Sequence, residues 1–471
     1  MRALKTIIGG LSAYYILVYL FVAFSRLNYP FDLDFVDGAN LQSVLRVLSW
    51  QNLYVAPSLD FIPNIYNPLY YYLAAPLAKV LGPTFLPLRL LSLLASLGCF
   101  GLIYRLIEKE TGNKYYGFVA AGFFAATFNL CGGWFDMPRV DSLFLFFTLF
   151  GLYQLRQDRL VASAILFALA FFTKQFTLAV VIPMIIYLLI FNRSGCLKFT
   201  LVFGGLTGVG ISLLNIFSNG WYSYYAFWLP AMHSRSSAVI GFWLFGIICS
   251  LPIVFLLKLF LFNAWHKQKN REKGFYFAIF CGLMGAGWLG LSHSFAHVNV
   301  LMPAFAALAI ILGLVLAEFQ LTVLAQILII GQFAWLFYNP LAYIPTQNDR
   351  LANEKIVKII KETKGEVFIP RHNYLAGLAG KRIYAHWMAI HDVLRGDSGG
   401  VGTALFNEIQ TALKTKKFKL VVMDEEDKAK KYKFWDEDSG EYYLHKVKIS
   451  LQPDELWPVA GVKTRPTYLL Y

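Results

Sequence analysis

Apolar runs of about 20 residues, each long enough to cross a bilayer's hydrocarbon core, recur through roughly the first 340 positions of this chain. With 57% of its 471 residues hydrophobic and only 15% charged, it carries more apolar surface than a soluble core absorbs. The expected fold is therefore a polytopic α-helical membrane protein. The first run, 7–24, follows Arg2 and Lys5 as a secretion signal would. No small-residue cleavage site comes after it, so it reads as a retained first helix.

Charge sets the thread. Basic connectors fall at 108–114 (with Arg105), 156–159, 192–198 and 265–273. Placing all four on the cytoplasmic side puts the N-terminus inside and the first loop, 25–66, outside. Further helices are expected at 86–107, 116–131, 141–155, 160–173, 176–191, 199–217, 241–263, 275–292, 298–317 and 320–337. The total is about eleven crossings, and an odd count leaves the C-terminal part outside. The stretch 64–82, broken by Pro68 and Pro76, reads as an amphipathic or re-entrant juxtamembrane segment. A full crossing there would reverse the parity. Residues 1–338 thus form the membrane domain.

From about residue 339 the pattern changes. Helical periodicity over 349–364 gives way to a β-like run at 366–370, then a helix over 402–417 and a buried strand at 418–424. The aromatic end, 457–471, is strand-like. This alternation predicts a small extracytoplasmic α/β domain over 339–471. The five cysteines all lie in or beside hydrophobic segments and none has CxxC spacing, so they carry no zinc or redox signature.

The net charge of +14 does not point to nucleic acid. Much of it lies in short connectors that fix topology and meet anionic lipid headgroups. Acids are scarcer, and three of them, Asp32, Asp34 and Asp37, crowd into one stretch of the first outer loop, Phe31-Asp-Leu-Asp-Phe-Val-Asp-Gly38. The same thread brings Asp136, Arg139, Asp141, Lys174, His233, Arg235, His293 and His297 to that bilayer face. Charges at membrane depth are costly and tend to line cavities or pathways.

The order of motifs resembles the GT-C membrane glycosyltransferases, which include protein O-mannosyltransferases and the lipid A aminoarabinose transferase. An acidic first loop is followed by Trp50-Gln-Asn-Leu-Tyr54, Tyr66-Asn-Pro-Leu-Tyr-Tyr71, a turn at Gly82, and Leu88-Arg-Leu-Leu-Ser92. Pro138-Arg-Val-Asp141 resembles the family's second outer-loop aspartate, and Phe172-Thr-Lys-Gln175 a later corner. The family commonly has an adjacent acidic pair in the first loop, whereas Asp34 and Asp37 stand three apart. The Asp37-Gly38 pair resembles the Glu-Gly of bacterial relatives and favours Asp37 as the equivalent. The resemblance implies transfer of a sugar from a polyprenyl-phosphate carrier to a glycan, lipid or protein acceptor at the outer face. The short tail and compact loops point to a multi-pass protein of a bacterial inner or plasma membrane.

Displacement at an anomeric carbon needs a base for the acceptor hydroxyl and a stabiliser for the departing phosphate. Asp37 is the expected general base, with Asp34 positioning the acceptor or sharing the role, and the expected outcome is inversion. Asp141 is a further catalytic candidate. Arg139, Lys174, Arg235 and His297 are candidate contacts for the carrier phosphate or sugar, Arg being suited to bidentate binding. Structural roles compete at each position: a helix cap for Asp141, a local ion pair for Arg139, and headgroup contact for Lys174.

His293 and His297 share metal-ligand spacing but lack an HExxH glutamate, and Asp424-Glu-Glu-Asp427 reads as a solvated turn. A divalent metal stays open as a cofactor, without a ligand set. The aromatic stretch 221–228 fits an interfacial belt or a sugar platform equally. No P-loop or dinucleotide fingerprint occurs. The rival readings are a transporter or flippase of lipid-linked sugars, and a non-catalytic scaffold; the absence of a visible repeat weighs against the first.

Overall fold

A computed structural model describes residues 2–236, 239–251, 271–318, 322–397, 400–424, 445–452, 455–456, 458–461 and 464–471. Of the segments expected from sequence, 252–270 (most of the fourth basic connector and the end of the 241–263 helix), 319–321 and Glu425-Glu426-Asp427 lie outside the described residues. The chain divides into two compact units. One comprises Met1–Ser25, Leu90–Gly210 and Ser234–Leu341; the other comprises Arg26–Arg89, Ile211–His233 and Ala342–Tyr471.

The architecture is mostly helical, as the apolar runs require. Among the described residues, five helices are long and apolar enough to span a membrane: Arg2–Leu27, Phe85–Thr111, Arg193–Phe217, Arg271–Ser292 and Val298–Ala317. A bent pair, Val323–Trp335 with Pro340–Glu362, makes a sixth if taken as one span. At 1.5 Å per residue Arg2–Leu27 reaches about 39 Å, enough to cross hydrocarbon with tilt. Lys114–Ala126, Val140–Arg156, Leu160–Thr173 and Leu178–Phe191 occupy four expected positions as shorter helices of 13 to 17 residues. Length and composition alone therefore do not reproduce eleven crossings. These apolar helices make the chain an integral membrane protein.

Local chemistry explains where these helices stop. Asn113 opens Lys114–Ala126 by accepting a hydrogen bond from Tyr115 N at 2.9 Å. Leu160–Thr173 ends because Lys174 adopts an extended conformation (φ −153°, ψ 126°), which turns the chain into a short 3-10 turn before the next helix. The 64–82 stretch holds only the 13-residue helix Leu69–Leu81, about 20 Å long, with Pro76 inside it and Gly82 at φ +93° after it.

Within the first unit the basic connectors converge. Arg156 bridges Glu110 at 2.9 Å and Glu272 at 3.0 Å, and Arg271 pairs with Asp158. Connectors at 108–114, 156–159 and 271–273 therefore share one end of this unit, as the charge thread expects.

The second unit holds a four-stranded sheet. Strands β1 (Glu366–Phe368), β2 (Phe418–Asp424), β3 (Lys446–Lys448) and β4 (Pro466–Leu470) lie in the order β1-β2-β4-β3, with only β1 and β2 parallel. β2 is buried along its length except at Lys419, so its near-continuous apolar run reflects cover on both faces. Helix Gln347–Glu362 begins with a capping box between Thr346 and Asp349 and buries Ala352, Ile356 and Ile360, four residues apart. Phe368 stacks on Phe418 at 4.9 Å in this core.

Candidate functional site

In the second unit the acidic loop folds inward. Asp34, Asp37 and Arg89 are all 0% exposed. Helix Asp37–Leu48 starts at Asp37, yet the carboxylate does not cap the helix forwards. Its Oδ2 instead accepts from the amides of Leu33 at 3.0 Å and Asp34 at 3.3 Å, closing the loop on itself. Oδ1 is buried without a hydrogen-bond partner among the described residues. Burial first, and then the neighbouring Asp34 carboxylate, push Asp37 up to about 7, against the pull of Arg89 and the Leu33 amide.

Arg89 stands within the Leu88–Ser92 motif, but its role is not legible from sequence. Its Nη2 stands 4.0 Å from Asp37 Oδ2 and donates to Phe31 O at 2.6 Å. Nη1 donates to the carbonyls of Arg26 and Tyr29. One planar guanidinium thus gathers three backbone carbonyls of the loop around its charge. Its only sequence signal is an arginine set between leucines, Leu88 and Leu90.

Asp32 faces another set of partners. Its Oδ2 lies 2.6 Å from His372 Nδ1, and its Oδ1 accepts from Tyr374 Oη at 2.7 Å. The other ring nitrogen of His372 reaches Asp424 Oδ2 at 3.2 Å, and Thr464 also donates to that oxygen. Asp424 is thus a buried partner of a histidine, not a solvated turn residue.

In the first unit a second polar group forms from residues the sequence placed at one face. Asp141 Oδ1 meets Lys174 Nζ at 2.6 Å, and Oδ2 accepts from Asn299 Nδ2 at 2.9 Å. Arg139 Nε stands 3.8 Å from Oδ2, and its guanidinium covers the Trp134 ring at 5.3 Å. All four polar side chains are buried. Asp141 sits in the first turn of Val140–Arg156, but its carboxylate serves Lys174 and Asn299, so the helix-cap alternative does not hold. Lys174 points to a carboxylate and not to headgroups. Asn299 carried no signal in the sequence.

His297 packs its ring edge-on against Trp134 at 5.5 Å. His293 follows the end of helix Arg271–Ser292, and His297 precedes the 3-10 turn Val298–Leu301, so their spacing does not set them on one helical face. Arg235 is exposed and pairs through its backbone with His293; the structure does not bring its side chain to Asp141. Among the described residues no group of three His, Cys, Asp or Glu side chains is arranged to hold a metal ion. The 221–228 stretch is partly core: Tyr222 and Tyr225 are buried beside Tyr54, whereas Trp228 is exposed.

The sequence model of the dolichyl-phosphate-mannose-protein mannosyltransferase family matches residues 63–221. No curated protein sequence matches the chain. Among solved structures, ArnT from Cupriavidus metallidurans bound to undecaprenyl phosphate is similar at a TM-score of 0.58 and 12% identity, covering 98% of both chains. The same protein in its apo state matches at a TM-score of 0.59 and 12% identity, covering 98% of this chain and 97% of that one. Over nearly its whole length this chain has the fold of those two structures, and over 63–221 it is similar to the mannosyltransferase family.

Proposed function

We propose that this protein is a membrane glycosyltransferase that moves a sugar from a polyprenyl-phosphate carrier to an acceptor hydroxyl at the outer face of the membrane, inverting the anomeric carbon. The observation that carries this reading is Asp37. Two backbone amides hold one carboxylate oxygen while the other is bare, and its proton affinity is raised to about 7. A base with an affinity near working pH is the one best suited to take a hydroxyl proton. The relative of like fold bound to undecaprenyl phosphate supports the carrier class.

In this mechanism Asp37 Oδ1 removes the acceptor's proton as the acceptor oxygen attacks the anomeric carbon. The bond from that carbon to the carrier's phosphate oxygen breaks, and the phosphate leaves with the electron pair. Asp34 keeps Asp37 basic through its own negative charge. Lys174 and Arg139, held by Asp141, are the cations assigned to the phosphate. His297 and Arg235 are the further candidate contacts for the carrier phosphate or sugar. The eleven-crossing thread, with the N-terminus cytoplasmic and a C-terminal α/β domain over 339–471 outside, belongs to the same proposal.

The test is transfer from radiolabelled polyprenyl-phosphate sugars by the purified full chain, wild type beside Asp37→Asn and Asp34→Asn. Acceptor-dependent turnover that Asp37→Asn abolishes in a folded protein supports the reading. Carrier binding without transfer in every variant, wild type included, would replace it with transport of the lipid-linked sugar.

A further inference from the structure

The segment His372-Asn373-Tyr374 meets the acidic loop at three successive points, all within the second unit. His372 and Tyr374 both bind the Asp32 carboxylate, and Tyr374 Oη also accepts from Asp32 N at 3.1 Å. Asn373 Nδ2 donates to Gln42 Oε1 and to Tyr384 O, both at 2.9 Å, which ties the segment to the helix that Asp37 begins. At Gly38 the approach is so close that a Cβ there would lie 2.5 Å from Asn373 Oδ1. The residue after Asp32 is Leu33, whose amide, with that of Asp34, holds Asp37 Oδ2. A displacement of Asp32 is therefore passed within two residues to the amides that orient Asp37.

We infer that His372 is a positioning residue for Asp37: as an imidazolium held between Asp32 and Asp424, it fixes the loop whose amides aim the Asp37 carboxylate. This rests on the reading of Asp37 as the base and adds a part that acts on it without touching substrate.

Both ring nitrogens of His372 face carboxylate oxygens, and a carboxylate accepts only, so both nitrogens carry protons. Burial alone would lower the affinity of the ring for its second proton. The Asp32 and Asp424 carboxylates overcome that and raise it to about 10. Other charged or titratable groups share this environment. Arg371 acts on Asp424, and His386, itself lowered to about 4 first by burial, feels the charge of His372. Tyr29 and Asp349 line a small cavity together with Asp32 and His372. Only Asp32 and Asp424 make an ion pair with the ring among the described residues.

Replacing His372 by glutamine leaves the negative charge of Asp32 uncompensated and loosens the Leu33 and Asp34 amides. Both changes raise the proton affinity of Asp37, for which Asp32 already counts as an unfavourable neighbour. The experiment uses full-length protein in detergent: wild type, His372→Gln, and Asp32→Asn/His372→Gln. Nitrogen-15 spectra of histidine-labelled protein at pH 8, with the His372 signals identified by their loss in His372→Gln, read the ring's charge. Carbon-13 titration of aspartate-labelled protein, with Asp37→Asn as the assignment control, reads the Asp37 midpoint without turnover. The pH profile of sugar transfer reads its acid limb.

The expected result is an imidazolium at pH 8, an Asp37 midpoint and acid limb both higher by roughly one pH unit in His372→Gln, and a return toward wild type in the double variant. A neutral His372 ring at pH 8, or an Asp37 midpoint that does not move in a folded His372→Gln, overturns the inference. If no variant transfers sugar but the carbon-13 midpoint moves as stated, the clamp stands and it is the transferase reading that fails.

Discussion

Lys174 Nζ lies 2.6 Å from Asp141 Oδ1 with both side chains buried, so changing either alone takes from the other its nearest opposite charge. Breaking such a pair by removing one partner costs about 3–5 kcal/mol, whereas replacing both by apolar groups is often near neutral. We therefore expect Lys174→Met and Asp141→Leu each to unfold the protein at markedly lower temperature. The double variant should recover much of the loss, because the two effects are not additive. It should also lose carrier binding, since Lys174, one of the two cations assigned to the phosphate, is gone and Asp141 no longer holds Arg139 in place. Thermal unfolding and carrier binding, measured on all four proteins, check both halves. Additive losses would mean that the pair is not coupled.

Asp37→Asn should lower transfer by about 10²–10⁴-fold while the protein stays folded. In the wild type, activity should rise with pH through about 7, as the base loses its proton. Stability runs the other way. The folded carboxyl holds its proton to about 7, well above its unaided value of 3.8, so ionisation becomes costly to the folded state as pH rises between those values. Asn removes that cost. Asp37→Asn should be at least as stable as wild type at pH 8, with the advantage vanishing near pH 4. Melting temperatures across that range decide the point.

Much of this arrangement was legible in the sequence, for a physical reason. Hydropathy runs and the positions of Lys and Arg are local signals. They indicated the principal helices, and the side-chain contacts Arg156–Glu110 and Asp141–Lys174 each join connectors that the charge thread puts on one face. Strand β2 was legible from its apolar run and its flanks. Partnerships across long stretches of chain were not. Nothing in the neighbourhood of Asp32 announces His372, 340 residues on, and nothing around Asp141 announces Asn299. Arg89 was hidden in the same way, because its partners are carbonyls and any residue supplies a carbonyl. His293 and His297 show the converse failure. Helical spacing carries meaning only inside a helix, and the helix ends at Ser292.

Arg89→Lys should be a severe substitution despite keeping the charge. An ammonium on a flexible stem does not reproduce the planar fork that reaches the carbonyls of Arg26, Tyr29 and Phe31. Leaving buried carbonyls without donors costs about 1–3 kcal/mol each. Arg89→Met goes further and removes the cation that pulls the Asp37 proton affinity down, so its acid limb of transfer should move above that of wild type. Melting curves together with pH–rate profiles separate these effects. A normal acid limb in folded Arg89→Met would show that Arg89 does not act on Asp37.

Gly38→Ala sets two effects against each other. In a free helix the change is worth roughly 1 kcal/mol in favour of alanine. Here the new Cβ would lie 2.5 Å from Asn373 Oδ1 and 3.2 Å from Tyr374 Cδ1. Asn373 cannot swing aside without giving up its bonds to Gln42 and Tyr384, and Tyr374 is held by Asp32. The clash should win, with a net loss of about 1–3 kcal/mol. Asn373→Ala alone should also destabilise, since it leaves the Gln42 oxygen without that donor. In the double variant, however, the space opened at residue 373 accepts the Cβ, so its loss should fall clearly short of the sum of the two single losses. Thermal unfolding of the four proteins tests this, and strict additivity would mean that Gly38 does not bear on Asn373 at all.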